Sequence, residues 1–310
     1  MTSITTQMVS DHYSAIARED SSTNASHIRK VAESFGYSAE DLASVPEGAN
    51  LGVSCGNPLA IAGLKAGETV IDLGSGAGFD VFQASRKVGP DGLSIGVDMS
   101  QDMLDRAKRN AEKAAITNVK FVLAPITKIP LESESANCII SNCVINLLAQ
   151  EDKLVCLKEV FRILRPGGRL AVSDILAKKV LPEELQRDTR LYVGCISGAS
   201  LVSEYEKWLK EAGGLKLTMV SEILIVDKKS DLNIYKERGQ EESSSSCCET
   251  STSKHKEQAS SCCAPATSCC SSTTGATKAD DKQDLAKRVA NIDFNEWVSS
   301  YSIYAVKPSN

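Results

Sequence analysis

The sequence has no excess of basic charge: over its 310 residues, 35 Lys and Arg stand against 40 Asp and Glu, a formal charge of -5. Without a cationic surplus there is no field to hold a phosphate backbone, so no nucleic-acid partner is expected. There is also no run of the ~18 apolar residues that a spanning helix needs, and the N-terminus, MTSITTQMVSDHYSAIARED, lacks the basic flank and apolar core of a signal peptide. The expectation is a soluble, cytoplasmic monomer with no membrane partner. Histidine is scarce too. His12, His27 and His255 lie in end segments or in a serine-rich stretch, and none is placed as a general base. Cysteine, in contrast, occurs 11 times. A chain this long, with its cysteines in strand-like or serine-rich surroundings, does not resemble a secreted disulfide framework, and thiol chemistry becomes the question.

The patterning predicts an α/β protein with a doubly wound, mostly parallel sheet. Residues 1–48 are polar with short helical patterns, such as His27 to Phe35 and a cap-like Ser38 start, and read as an N-terminal helical cap. From Glu68 onward, apolar runs (TVIDLG, LSIGVD, VKFVLA, NCIISN, RLAVSD) alternate with amphipathic stretches, the signature of strands covered on both faces. The core is expected over 49–178, followed by a substrate-covering section and penultimate strand over 179–238. Residues 282–310, ending in SSYSIYAVKP, are expected to supply an antiparallel edge strand. From Glu241 to Asp284 there is not one Val, Ile, Leu, Met, Phe, Tyr or Trp. Such a stretch cannot offset its ordering entropy, so 239–281 is expected to be a disordered insertion, although it carries Cys247-Cys248, Cys262-Cys263 and Cys269-Cys270.

The segment Val70-Ile-Asp-Leu-Gly-Ser-Gly-Ala-Gly78 ends a strand in a glycine turn that opens a helix, where a ligand can approach the backbone. Its glycines at 74, 76 and 78 do not have the dinucleotide spacing, which asks for two residues before the third glycine. Asp98 closes the next strand 22 residues after Gly76, where a carboxylate can accept hydrogen bonds from both ribose hydroxyls. With Arg165-Pro-Gly-Gly168 before RLAVSD, this combination resembles the class I methyltransferases, Rossmann-like enzymes that use S-adenosylmethionine. The resemblance implies that Asp72, Gly74, Ser75 and Gly76 face the methionine part, that Asp98 binds the ribose, that Met99 packs on the adenine, and that Ile126 and Asn142 complete the cofactor site. Many such enzymes place an acid at the end of the third strand to meet the adenine amine; here the chain reads Leu123-Ala-Pro-Ile126, leaving backbone groups of Pro125 and Ile126 as substitutes.

Cys143 follows the strand NCIISN at the carboxyl edge, where ligands of doubly wound sheets sit. Cys55 and Cys195 lie in glycine-flanked loops that suit access, whereas Cys138 and Cys156 fall within elements and read as buried hydrophobes. The intervals of 88 and 52 residues match no zinc-finger spacing, so a shared site must be assembled by the fold. EGANLGVSCGNPLA, ISNCVINL, LRPGGRLAVSDI and CISGA, with the closing Phe294-Asn-Glu-Trp297, are similar to segments of the arsenite methyltransferases, fungal members included. That resemblance implies that Cys55, Cys143 and Cys195 bind trivalent arsenic as substrate, that methyl groups come from S-adenosylmethionine to give mono- and dimethylated arsenicals, and that glutathione or thioredoxin is the reductant. Family members often carry a fourth cysteine in the N-terminal segment, whereas Ile16 to Ser38 has none. Carbon methylation of a quinone or sterol, and non-catalytic soft-metal buffering, remain open alternatives at this point. So do two roles for the Cys-Cys pairs, arsenic capture or relay, against a dispensable linker.

Overall fold

In the computed structural model, residues 4–18, 25–186, 191–192, 194–213, 223–227, 232 and 292–309 are described. Among them, four central strands form where apolar runs are buried on both faces: β1 (Thr69–Leu73), β2 (Leu93–Asp98), β4 (Ala136–Asn142) and β5 (Leu164–Ala177). With β3 (Val119–Leu123), β6 (Ile223–Asp227) and β7 (Val298–Val306) they make one seven-stranded sheet in the order β3-β2-β1-β4-β5-β7-β6. The pairs among β1 to β5 are parallel, and β7 runs antiparallel to both β5 and β6. This is the expected doubly wound sheet. Its strand order reverses beside β1, and the crevice at the carboxyl ends of β1 and β4 is the ligand position of such folds.

One sequence expectation is corrected. The C-terminal strand is not the edge: β7 lies between β5 and β6, and β6 takes the edge. The β7 residues Ser299, Ser300 and Ser302 are all buried, as suits an inner strand rather than an edge.

The helices are α1 (Ile4–Arg18), α2 (Ala25–Ser34), α3 (Ala39–Ala43), α4 (Leu59–Ala62), α5 (Phe79–Val88), α6 (Gln101–Lys113), α7 (Gln150–Ile163), α8 (Glu183–Gln186) and α9 (Val202–Ala212). The Ser38 cap forms as the sequence suggests. Its hydroxyl accepts from the Asp41 N–H at 3.1 Å while Asp41 accepts from the Ser38 N–H at 2.9 Å. Helix α1 packs against α6, fastened by Arg18 to Asp102 and by the guanidinium of Arg106, which donates to the carbonyls of Gly48 and Ala17. These elements belong to the unit Met1–Leu232 with Phe294–Asn310; the other unit, Asn233–Asp293, lies almost wholly outside the described residues, as do 239–281 with their Cys-Cys pairs and residues 215–222 of the expected penultimate strand. Among the described residues, no helix is long and apolar enough to cross a membrane.

Candidate active site

The floor of the crevice is the turn from β1 into α5. Gly74, Gly76 and Gly78 all hold left-handed φ (65°, 51° and 93°), the conformation for which glycine carries no steric cost. At Gly74 the space is closed as well, since a Cβ would lie 2.5 Å from the Val144 side chain. At the end of β2, the Asp98 carboxylate is fixed before any ligand arrives: it accepts from the Gly76 N–H at 2.9 Å and from the Ser100 N–H at 2.8 Å. The buried Ser75 hydroxyl has no hydrogen-bond partner among the described residues.

The pocket above this turn is walled by the α1 face (Thr6, Val9, Ser10, Tyr13) and by the glycine turn, and it reaches Leu147, Leu148 and Asp152. All eight residues expected from the resemblance at the cofactor (Asp72, Gly74, Ser75, Gly76, Asp98, Met99, Ile126 and Asn142) line it. It holds four carboxylates, Asp72, Asp80, Asp98 and Asp152, and no basic side chain among the described residues. Burial drives three of them upward in pKa: Asp72 well above the carboxylate range, with Asp80 and Asp98 adding repulsion, Asp80 to about 6, and Asp98. A pocket of this charge favours a cationic ligand.

Asn142 joins this pocket to the thiols. Its amide nitrogen donates to Asp80 at 3.0 Å, to the Tyr37 hydroxyl at 2.9 Å and to the Gly56 carbonyl at 3.0 Å, while its oxygen accepts from the Cys55 N–H at 3.1 Å. Tyr37, from the turn before α3, donates to the other Asp80 oxygen at 2.7 Å. Asp80 and Tyr37 are therefore structural partners of the site that sequence reasoning missed. Asp80 had a faint signal, an acid in the first turn of the helix after a glycine loop, where the helix dipole favours a carboxylate. Tyr37 had none.

The three cysteines from distant segments meet. The sulfurs of Cys55, Cys143 and Cys195 all lie within 4.8 Å of one another, and Cys143 also lines the pocket. The expectation that Cys55 and Cys195 are accessible is corrected, since both are 2% exposed and Cys143 is 4% exposed. Packing of the 52–58 and 194–200 segments against the carboxyl edge of β4 and β5 explains the burial. The Ser300 hydroxyl donates to the Cys55 carbonyl at 2.5 Å, and the Cys143 N–H donates to the Ser173 carbonyl at 2.8 Å. Cys55 and Cys143, with Cα atoms 5.4 Å apart, are within reach of a disulfide, and the Cys195 thiol donates to the Cys143 carbonyl at 2.9 Å. Burial, aided by the charge of Asp174, pushes the Cys195 thiol well above its usual pKa. Cys138 and Cys156, pushed to about 12 by burial, behave as the small hydrophobes that their positions in β4 and α7 suggest.

Behind Cys195 sits a polar core that the sequence did not reveal. Asp174 on β5 is fully buried and raised by burial to about 7, and Lys153 on α7, 1% exposed, is lowered by burial to about 8. Asn146 donates to Asp174 at 2.9 Å and to the carbonyls of Ile175 and Cys195.

Comparison with known proteins fits this geometry. The methyltransferase domain family matches residues 64–213. An arsenite methyltransferase of Halobacterium salinarum is 48% identical over 181 residues, covering 58% of this chain and 46% of that protein. One from Aquipseudomonas alcaligenes is 36% identical over 166 residues, covering 51% and 47%. The chain thus spans about half the length of the curated relatives it matches. The crystal structure of an arsenic(III) S-adenosylmethionine methyltransferase from Chlamydomonas reinhardtii superposes with a TM-score of 0.52 at 22% identity, over 91% of this chain and 73% of that one. Residues 64–213 thus match the methyltransferase domain family, and the sheet they build has the Rossmann-like order of doubly wound folds.

Proposed function

We propose that this chain methylates trivalent arsenic, with S-adenosylmethionine as methyl donor. The observation that carries the reading is the buried triangle of cysteine sulfurs at the wall of an acid-lined methyltransferase pocket. Trivalent arsenic is soft, takes three sulfur ligands in a pyramid and keeps a lone pair at the apex, and three thiols assembled from three separate segments match that demand. The pocket fits the donor in kind: S-adenosylmethionine carries a sulfonium and an ammonium, and Asp72 and Asp80 are buried carboxylates without a cation beside them in the pocket wall. Asp98, already oriented by two backbone N–H groups, is the ribose acceptor, and Met99 and Ile126 are the apolar contacts for the adenine.

When bound, the donor supplies an electrophilic methyl group. Cys55, Cys143 and Cys195 hold arsenic with its lone pair toward that carbon, so the protein contributes orientation rather than proton transfer. The arsenic–carbon bond forms as the carbon–sulfur bond breaks, the departing sulfur keeps that electron pair, and arsenic passes from the trivalent to the pentavalent state. No proton moves, so no general base is needed. Two electrons must then return to arsenic. Thiols of Cys55 and Cys143 can supply them by closing their disulfide, and glutathione or thioredoxin then reopens it by exchange. This pair offers a relay that needs no N-terminal cysteine. The setting that suits it is the cytoplasm, with the chain acting as a monomer.

Carbon methylation of a quinone or sterol would leave the sulfur triangle without a role. A buffering protein would bind arsenite but ignore the methyl donor. Incubating the full chain with arsenite, S-adenosylmethionine and glutathione separates the three: mono- and dimethylated arsenicals are expected, and their absence from a folded, reduced protein defeats the reading.

A further inference from the structure

Lys153 is the one basic side chain fully buried among the described residues, and it sits in the first turn of α7, where the helix dipole disfavours a positive charge. Burial and position both oppose it, so its contacts must account for it. The ammonium donates to the Gly198 carbonyl and to the Ser200 hydroxyl, each at 2.6 Å, and its charge interacts with that of Asp174. Both acceptors belong to the segment that carries Cys195.

That segment is fastened to the stretch following Cys143 at further points. Tyr192 donates to the carbonyls of Leu147 and Leu148 at 3.2 and 3.0 Å, and Asn146 reaches the Cys195 carbonyl at 3.4 Å. The approach is close enough that a Cβ at Gly198 would lie 2.1 Å from the Asn146 carbonyl oxygen. Cys195 itself holds a left-handed φ of 64°, which a non-glycine residue keeps only when its surroundings impose it. Apolar packing could fill this volume, but it would not fix the direction of one sulfur.

We propose that Lys153 is a positioning residue for the substrate thiols: its ammonium, bonded to Gly198 and Ser200, holds the 194–200 segment so that the Cys195 sulfur faces those of Cys55 and Cys143. This rests on the reading of the three cysteines as the arsenic site. It assigns α7 a part in substrate binding separate from the donor pocket.

The test uses the reduced full chain, titrated by calorimetry with arsenite and, separately, with S-adenosylhomocysteine. Lys153→Met keeps the length of the side chain and removes its donors, and Ser200→Ala removes one acceptor with little change in volume. Loss of two charge-assisted hydrogen bonds should weaken arsenite binding in Lys153→Met by about tenfold or more, with a smaller loss in Ser200→Ala. Affinity for S-adenosylhomocysteine should stay within about twofold in both, a split that general damage to the fold does not produce. Should Lys153→Met fail to fold, Ser200→Ala carries the same split. Wild-type arsenite affinity in the folded variants overturns this inference alone, as does a parallel loss of both ligands. A wild-type chain that binds no arsenite overturns the thiol-site reading and this one together.

Discussion

Cys143 and Cys195 are two of the four described non-glycine residues with positive φ, at 61° and 64°, a conformation that costs on the order of 1 kcal/mol or more each. Strain gathered at two of three clustered thiols fits a site that imposes sulfur directions rather than one that merely packs. The thiols should also differ by valence. Inorganic arsenite offers three positions to sulfur, whereas a monomethyl species offers two. Cys143 directly follows the core strand β4 and the Cys195 carbonyl accepts from Asn146 in the stretch just after it, while Cys55 comes from a separate loop before the sheet. Cys55→Ser should therefore nearly abolish methylation of arsenite yet retain methylation of trivalent monomethylarsenic in excess glutathione, and Cys143→Ser and Cys195→Ser should lose both. Steady-state rates on the two acceptors check this, and equal losses in Cys55→Ser defeat the valence argument. The glycine turn, Asp98 and the three cysteines were legible because each sits in a local motif. Tyr37, Asp80, Lys153 and Asp174 were not, because their roles come from partners 28 to 105 positions away in sequence, including Asp174 to Asn146 and Tyr37 to Asn142.

Among the elements, β1, β2, β4 and β5 could be read directly, since a strand buried on both faces must be a run of apolar residues. The place of β7 could not. Its place at the chain's end suggests an edge, yet its serines are buried and one of them, Ser300, donates to the Cys55 carbonyl, so this inner strand helps support the thiol loop. Antiparallel pairing of β6 and β7 joins strands separated in sequence by a stretch from Glu241 to Asp280 that has no large apolar side chain. We propose that this stretch adds little to stability, because it has almost nothing to bury and loop closure depends only weakly on length. Deleting 241–280 should leave Tm nearly unchanged by calorimetry and should preserve methylation with excess glutathione. A deletion product that does not fold contradicts this. Turnover lost only under weak reductant would instead assign the Cys-Cys pairs to the relay.

For the molecule as a whole, the acid-lined pocket makes the ligand-free fold sensitive to pH. Asp80 titrates near 3.8 when unfolded and is raised to about 6 in the fold, chiefly by burial and despite hydrogen bonds from Asn142 and Tyr37. Between those values the folded state binds more protons than the unfolded state, so this contribution is fully present below the unfolded pKa and is lost as pH rises through about 6. The Tm of Asp80→Asn relative to wild type should therefore rise from about pH 5 to about pH 7; a difference that is constant, or that falls, shows that Asp80 is not the titrating group. We propose that one folded chain directs three sulfurs at a single arsenic atom beside the pocket that takes the methyl donor. Arsenic K-edge X-ray absorption of the reduced full chain with one equivalent of arsenite tests this most directly. Three arsenic–sulfur bonds are expected in the wild type and two in each of Cys55→Ser, Cys143→Ser and Cys195→Ser; arsenic bound mainly through oxygen, or a sulfur count unmoved by all three substitutions, rules the three-thiol site out.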